Sequence, residues 1–422
     1  MQYVWQHRLL LLSDLVTVDG RKVSIIDPGL PNNGSGPDFF NAKVRIGDRL
    51  WAGDVEIHVR ASDWHRHGHD GDRAYDSVVL HVVDRDDTPI QRSNGEVIPQ
   101  MVMRCAPDFH VKYSSLVDRS DLDLPCAADL AATSPLHLSD WITSLAYERV
   151  YAKADHLGDI LGRVSSDWEQ AAYILLARAL GFGINSEPME RLAVSMPLAF
   201  LRKHSDSLTS VEALLLGQGG FLADVPADDP YAVELAGEYR FLSHKFSLEP
   251  MLCPGWKTGR LRPSNRPESR IATLAGIIAG SPHLADTIVS ATSAESLIEY
   301  FRRPLSAYWS IHYTFGPASP RPHESMSRAS AAGLVINVAV PFMVAWGNAR
   351  ADEEMVARAF EWLQGLPAES NRIIDIFAAA GVKSRDAFTT QALIQARRAY
   401  CEPHRCIYCR IGHRALAARA KR

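Results

Sequence analysis

Little in this 422-residue chain marks it as secreted, membrane-embedded or disordered. Six cysteines in a chain of this length do not make a disulfide scaffold. A net charge of −4 supplies no global basic field to draw the protein onto nucleic acid, so any such contact needs a local patch. No apolar run is long enough to span a bilayer. The longest, residues 334–346, contains Asn337 and Pro341 and reads as a buried core helix. Residues 9–12 are too short a run for a secretory leader, and Asp14 follows them without a small-residue cleavage site. There is no repeat of fixed period and no low-complexity tract. These absences lead us to expect a cytoplasmic protein without a membrane partner.

What is present divides into two halves. Residues 2–12 read as a short helix. Asp19-Gly20, between residues 15–18 and 22–26, is a hairpin turn. A loop rich in Pro, Gly and Asn covers 27–37. Strands are expected over 42–46, 50–59, 75–83 and 97–105, giving a sheet of about five or six strands. From Leu124 onward helix signals dominate. Ser166-x-x-Glu169 reads as a capping box before a helix over 168–180, which Gly181 and Gly183 would end. Further helices are expected over 211–216, 231–244, 271–278, 333–345, 353–364 and 385–400, with a long loop at 304–328. The expected class is α+β: an N-terminal mixed-sheet domain over 1–124, then a large all-α region over 125–422.

The sharpest chemical pattern is Gly36-Pro37-Asp38 followed by Asp54-Val55-Glu56-Ile57-His58. Strand side chains alternate, so Val55, Ile57 and Val59 should face a core while Asp54, Glu56 and His58 share the other face. Asp38, delivered by its loop, could converge on that face. Such a set would hold Mg²⁺ or Mn²⁺ and activate water, with His58 orienting the nucleophile. The spacing resembles the PD-(D/E)XK nuclease core, with His58 where that core usually has Lys. The resemblance implies a restriction-endonuclease-like fold and nuclease activity. A solvated polar sheet face is the plain alternative. A third reading uses His58 with His67, His69 and His81 as an imidazole site for Zn²⁺ or Fe²⁺. His65, in the same polar loop, is expected to be exposed.

Cys401, Cys406 and Cys409 form a C-x₄-C-x₂-C cluster, with His404 inside it and His413 just beyond. Three thiols in nine residues suggest a metal, either Zn²⁺ or an iron–sulfur centre. His404, His413 and the distant Cys126 are candidate fourth ligands, and the order of one upstream and three C-terminal cysteines is similar to the [4Fe–4S] staple of several nucleases. Cys105 and Cys253 read as core residues. The segment 256–270 is basic, and Arg260, Arg262 and Arg270 are candidates to grip a nucleic-acid backbone. Alternatively, these arginines pair with carboxylates between helices.

Several stretches together resemble one bacterial family, domain of unknown function 2851 (DUF2851). They are Gly36-Pro37-Asp38-Phe39-Phe40-Asn41-Ala42, Val55-Glu56-Ile57-His58, Ser62-Asp63-Trp64, His81-Val82-Val83, Glu212-Ala213-Leu214-Leu215, Arg260-Leu261-Arg262-Pro263 and the 401–409 cluster. They run nearly end to end. The resemblance implies kinship over the whole chain and carries no chemistry with it.

Overall fold

A computed structural model describes residues 1–6, 15–32, 34–104, 107–117, 123–251 and 255–417. The expected helix beyond residue 6, Cys105, Cys253 and the basic tail past 417 lie outside the described residues. The chain is α+β, and it separates into two compact units, 1–133 with 400–422, and 134–399. The first break falls near the expected boundary. The cysteine-bearing C-terminal segment, expected to close the helical region, belongs instead to the first unit.

The first unit is built on one mixed sheet of six strands: β1 (Val23–Asp27), β2 (Leu30–Pro31), β3 (Phe39–Ile46), β4 (Arg49–Arg60), β5 (Val78–Arg85) and β6 (Gln100–Val102). The order is β1-β3-β4-β5-β6, with β2 paired to β3. β3 runs antiparallel to β1 and β4, joined to β4 by a tight turn at Gly47 (φ 58°), while β4, β5 and β6 are parallel. Parallel neighbours need long crossovers, and the β4–β5 connection carries the short helical turns Asp63–Arg66, His69–Gly71 and Arg73–Tyr75. One sheet face packs Phe39, Val44, Val55, Ile57, Leu80 and Val82 into a core shared with Trp5, Leu116 and Leu416.

Val59 departs from the expected alternation: it is 58% exposed. β3 pairs with β4 only as far as Val55, so the last residues of β4 project beyond the antiparallel partner. The expected hairpin appears as a single bridge, Val16 to Lys22, across the Asp19-Gly20 turn.

The second unit is helical. The long helix Pro135–Arg163 packs against Ala387–Gln395 and Val340–Arg350. The helix over 168–180 begins one residue later than a Ser166 cap implies. Asp167 accepts from the backbone N–H groups of Glu169 and Gln170 at 3.0 Å each, whereas Ser166 sits at φ 63°. The apolar run expected to be too short for a bilayer belongs to a longer helix, Arg328–Arg350, which by length and composition is apolar enough to cross one; 67% of its most apolar window is nonetheless buried within the fold, as a core helix requires. A π-turn, Val335–Ala339, precedes Pro341 and absorbs the residue that cannot donate to the helical ladder.

Candidate metal centre

The strand pattern brings Asp38, Glu56 and His58 together. Asp38 stands immediately before β3, and its backbone N–H donates to Glu56 Oε2 at 3.0 Å. Its own Oδ2 accepts from the Ile57 N–H at 3.0 Å, and its Oδ1 accepts from Gln2 Nε2 at 2.6 Å. Glu56 and His58 follow on β4 with their side chains on one face; both are buried, at 5% and 7% exposure. Asp54 is engaged elsewhere. It accepts from Asn41 N–H at 3.0 Å and from the Ser77 hydroxyl at 2.6 Å, securing a β3 bulge where Asn41 has φ 53°.

The crossover after β4 delivers the imidazoles. His67 Nδ1 lies 3.1 Å from His58 Nε2. Glu56 Oε1 lies 3.4 Å from His58 Nε2 and 3.6 Å from His69 Nε2. His58, His67 and His69 each present one ligand atom within 4.8 Å of the others. A tetrahedral ion bonded at about 2.0–2.1 Å holds its donors about 3.3 Å apart. Three of the contacts, His67–His58 at 3.1 Å, Glu56–His58 at 3.4 Å and Glu56–His69 at 3.6 Å, bracket that edge length; the three imidazoles are the set whose ligand atoms all lie within 4.8 Å. His69 is clamped from behind: its ring stacks on Tyr75 at 3.7 Å and meets the buried Trp64 edge-on at 5.3 Å. His67 is exposed and opens the cluster to solvent. His65, as expected, is also exposed and pairs with Asp70 at 2.9 Å.

A chain of hydrogen bonds fixes the tautomer of His58. Gln100 Nε2 donates to Asp86 Oδ1 at 2.8 Å and to the Thr88 carbonyl at 3.0 Å, which turns its Oε1 toward His81. That oxygen accepts from His81 Nδ1 at 3.0 Å. The remaining His81 nitrogen, Nε2, therefore accepts from His58 Nδ1 at 2.9 Å. His58 Nε2 is left as a lone pair, and it is the atom that faces Glu56 and His67. An outer partner that accepts the other ring N–H of a ligating imidazole in this way is the rule at metal sites. The sequence carries no sign of Gln100. It arrives through the parallel pairing of β6 with β5, which sets Gln100 opposite His81.

The electrostatics agree with neutral imidazoles. Burial, reinforced by the neighbouring His81, His67 and His69, pushes the His58 pKa down to about 3, and burial takes His81 down to about 4. Burial, then the charge of Asp38, raises Glu56 to about 8. Burial also raises Asp38, against the two hydrogen bonds it accepts. A carboxyl that holds a proton among lone pairs is a place where a cation can take the proton's position.

The second expected centre is assembled in part. Burial pushes the Cys126 thiol up to about 12, and the neighbouring Cys409 and Cys406 sulfurs add to the shift. Cys126 and Cys406 pack on the sheet core, but among the described residues no three cysteine sulfurs lie within 4.8 Å of one another. Cys401 is half-buried in the same loop. His404 is exposed in a left-handed turn (φ 54°), and His413 is taken by the Tyr3 hydroxyl at 2.5 Å.

The arginines divide. Arg260 and Arg262 are exposed, as a backbone contact requires. Arg270 is 6% exposed; its guanidinium lies over the Phe182 ring at 4.2 Å and donates to Asn265 Oδ1 at 2.6 Å. It is therefore not a surface clamp.

No curated protein and no solved structure matches this chain. A family model does, over residues 1–372, which include Asp38, Glu56 and all four histidines of the cluster. On that match the chain belongs to the family described as Protein of unknown function (DUF2851).

Proposed function

We propose that this protein is a metal-dependent phosphodiesterase, a nuclease or nuclease-like protein. In this reading Glu56, His58, His67 and His69 hold one divalent ion, and Asp38 lies beside it. The observation that carries the reading is the lone pair of His58 Nε2, held by the Gln100–His81 relay and facing Glu56 Oε1 at 3.4 Å. Three imidazoles and one carboxylate suit Zn²⁺, Mn²⁺ or Fe²⁺ better than Mg²⁺, which demands oxygen ligands. The ion would lower the pKa of a bound water to near neutrality and polarise a phosphoryl oxygen. Pro37-Asp38 leading into β3, and Glu56-x-His58 on β4, support the PD-(D/E)XK likeness. Exposed Arg260 and Arg262 would contact a nucleic-acid backbone.

The test is a panel of DNA and RNA substrates with Zn²⁺, Mn²⁺ and Mg²⁺. Wild type should cut at least one, and Glu56→Ala should cut none while keeping its fold. Binding without cutting under every metal would leave a nucleic-acid-binding protein instead. The three-imidazole donor set also favours a second reading, hydrolysis of a small molecule. That reading gains if the protein turns over a small phosphodiester such as bis(p-nitrophenyl) phosphate but no polymer.

The electrostatic influence of Cys409 and Cys406 on Cys126, and the C-x₄-C-x₂-C spacing that adds Cys401, support a separate structural metal, [4Fe–4S] or Zn²⁺. It would tie the C-terminal segment to the first unit.

A further inference from the structure

Arg270 lies in the first turn of the helix Pro267–Gly280 and is 94% buried, yet no carboxylate among the described residues pairs with it. Among the described residues its Nε has no hydrogen-bond partner. A buried guanidinium without a counter-charge is costly, and a buried unpaired donor in a native fold calls for an explanation. The nearest acid in sequence, the buried Glu268, accepts from the Thr314 hydroxyl at Oε1 (2.9 Å); its Oε2 is buried without a partner among the described residues and forms no ion pair with Arg270.

This guanidinium lines a shallow pocket in the helical unit that opens to solvent, with Phe182, Ile184, Asn185, Leu261 and Asn265 around it. The segment that supplies Leu261 and Asn265 also carries Lys257, Arg260, Arg262 and Arg266, against Glu268 alone. The start of a 14-residue helix adds its own partial positive charge. Phe182, 38% exposed, offers a flat apolar surface at the same place.

We propose that this pocket binds a phosphate monoester, with Arg270 Nε as its buried donor and the organic part resting on Phe182. The four further cations carried by the same segment favour a dianion over the single charge of a carboxylate. The phosphate can belong to a free nucleotide or to the 5′ end of a strand. The proposal is independent of the metal centre, which lies in the other unit.

Calorimetric titration of the full-length protein tests it, with inorganic phosphate, a deoxynucleoside 5′-monophosphate, and an oligonucleotide with and without its 5′-phosphate. Succinate serves as the carboxylate control. Wild type should bind at least one phosphate monoester, and Arg270→Met should weaken that binding at least tenfold with unchanged helical circular dichroism. Phe182→Ala, on a partly exposed ring, should weaken the nucleotide and leave inorganic phosphate unchanged; it reports even where the Arg270 variant fails to fold. Preference for the 5′-phosphorylated strand over the free nucleotide assigns the source. The proposal is overturned if no phosphate probe binds, if succinate binds equally well, or if Arg270→Met or Phe182→Ala leaves nucleotide affinity at the wild-type value.

Discussion

Asp38 and Glu56 are fastened to one another through the backbone. The Asp38 N–H donates to Glu56 Oε2, and the Ile57 N–H beside Glu56 donates back to Asp38 Oδ2, both at 3.0 Å. Two carboxylates that would repel in isolation are thus held together by two neutral donors. The pair is part of the sheet, and its geometry exists before any ion arrives. We therefore expect Glu56→Gln to fold normally and to lose metal, with Zn²⁺ affinity falling a hundredfold or more by calorimetry. Unchanged affinity would remove Glu56 from the ligand set.

Gln100 touches none of the proposed ligands except through His81, yet it sets the His58 tautomer. Gln100→Leu should weaken metal binding by about 10–100-fold, the usual effect of removing an outer-shell partner. The thermal stabilisation produced by saturating Zn²⁺ should shrink in parallel. Full wild-type affinity in this variant would show that the relay does not control His58.

Gly53 has no room for a side chain: a Cβ there would come within 2.4 Å of Val79 Cγ1 and 2.7 Å of the Ser77 carbonyl. Those atoms lie at the irregular start of the β4–β5 pairing, where the register shifts between Asp54 and Val55. Gly53→Ala should cost about 1–3 kcal/mol by overpacking, measured by denaturant unfolding. It should also loosen metal binding, because Glu56 and His58 are positioned by the same pairing.

In the helical unit, Glu212 is fully buried, with Oε2 accepting from the Tyr231 hydroxyl at 2.5 Å and Trp309 Nε1 at 3.1 Å. Burial raises its pKa to about 7 from 4.5. A raised carboxyl pKa means the fold binds a proton that the unfolded chain has already released. Its contribution is full below about pH 4.5, is lost as pH rises toward 7, and is flat above. At about 1.4 kcal/mol per pKa unit the loss is on the order of 3 kcal/mol. Glu212→Gln should remove this slope, so its stability relative to wild type should rise between pH 5 and 8 in chemical denaturation. Parallel curves for the two proteins would refute the assignment.

Purified without oxygen, the wild type should carry iron with sulfide, or zinc, in the thiol group, and Cys126→Ser should lose most of it by elemental analysis. The measurement is best made on a His58→Ala background, so that metal at the histidine cluster does not enter the count. Metal-free thiols in that background would leave the cysteines as packing residues.

The parts legible in the sequence were those set by local periodicity. Glu56 and His58 share a face because a strand has a period of two, and Pro37-Asp38 sits just before a strand because of its turn chemistry. Val59 broke the same pattern because pairing with β3 stops at Val55, a property of the partner strand rather than of β4. His67 and His69 were visible as a polar histidine loop, but their arrival over His58 depends on three short helical turns with only weak signals. Gln100 was invisible, since parallel register cannot be read from either strand alone. Arg270 was misjudged as surface because its segment is rich in Pro and Arg, whereas the first turn of the helix from Pro267 carries it inward.

The first unit is closed by residues from both ends of the described chain: Leu416 packs into the same core as Trp5 and Val55, and Tyr3 bonds to His413. The 266 residues of the helical unit are inserted between them. On the ribosome, then, the sheet emerges first but lacks Leu416 until the whole helical unit has been made. The inserted unit, contiguous in sequence, is free to fold before its host is finished. A polypeptide truncated after residue 399 should therefore present a protease-resistant helical unit beside a sheet whose core lacks Leu416.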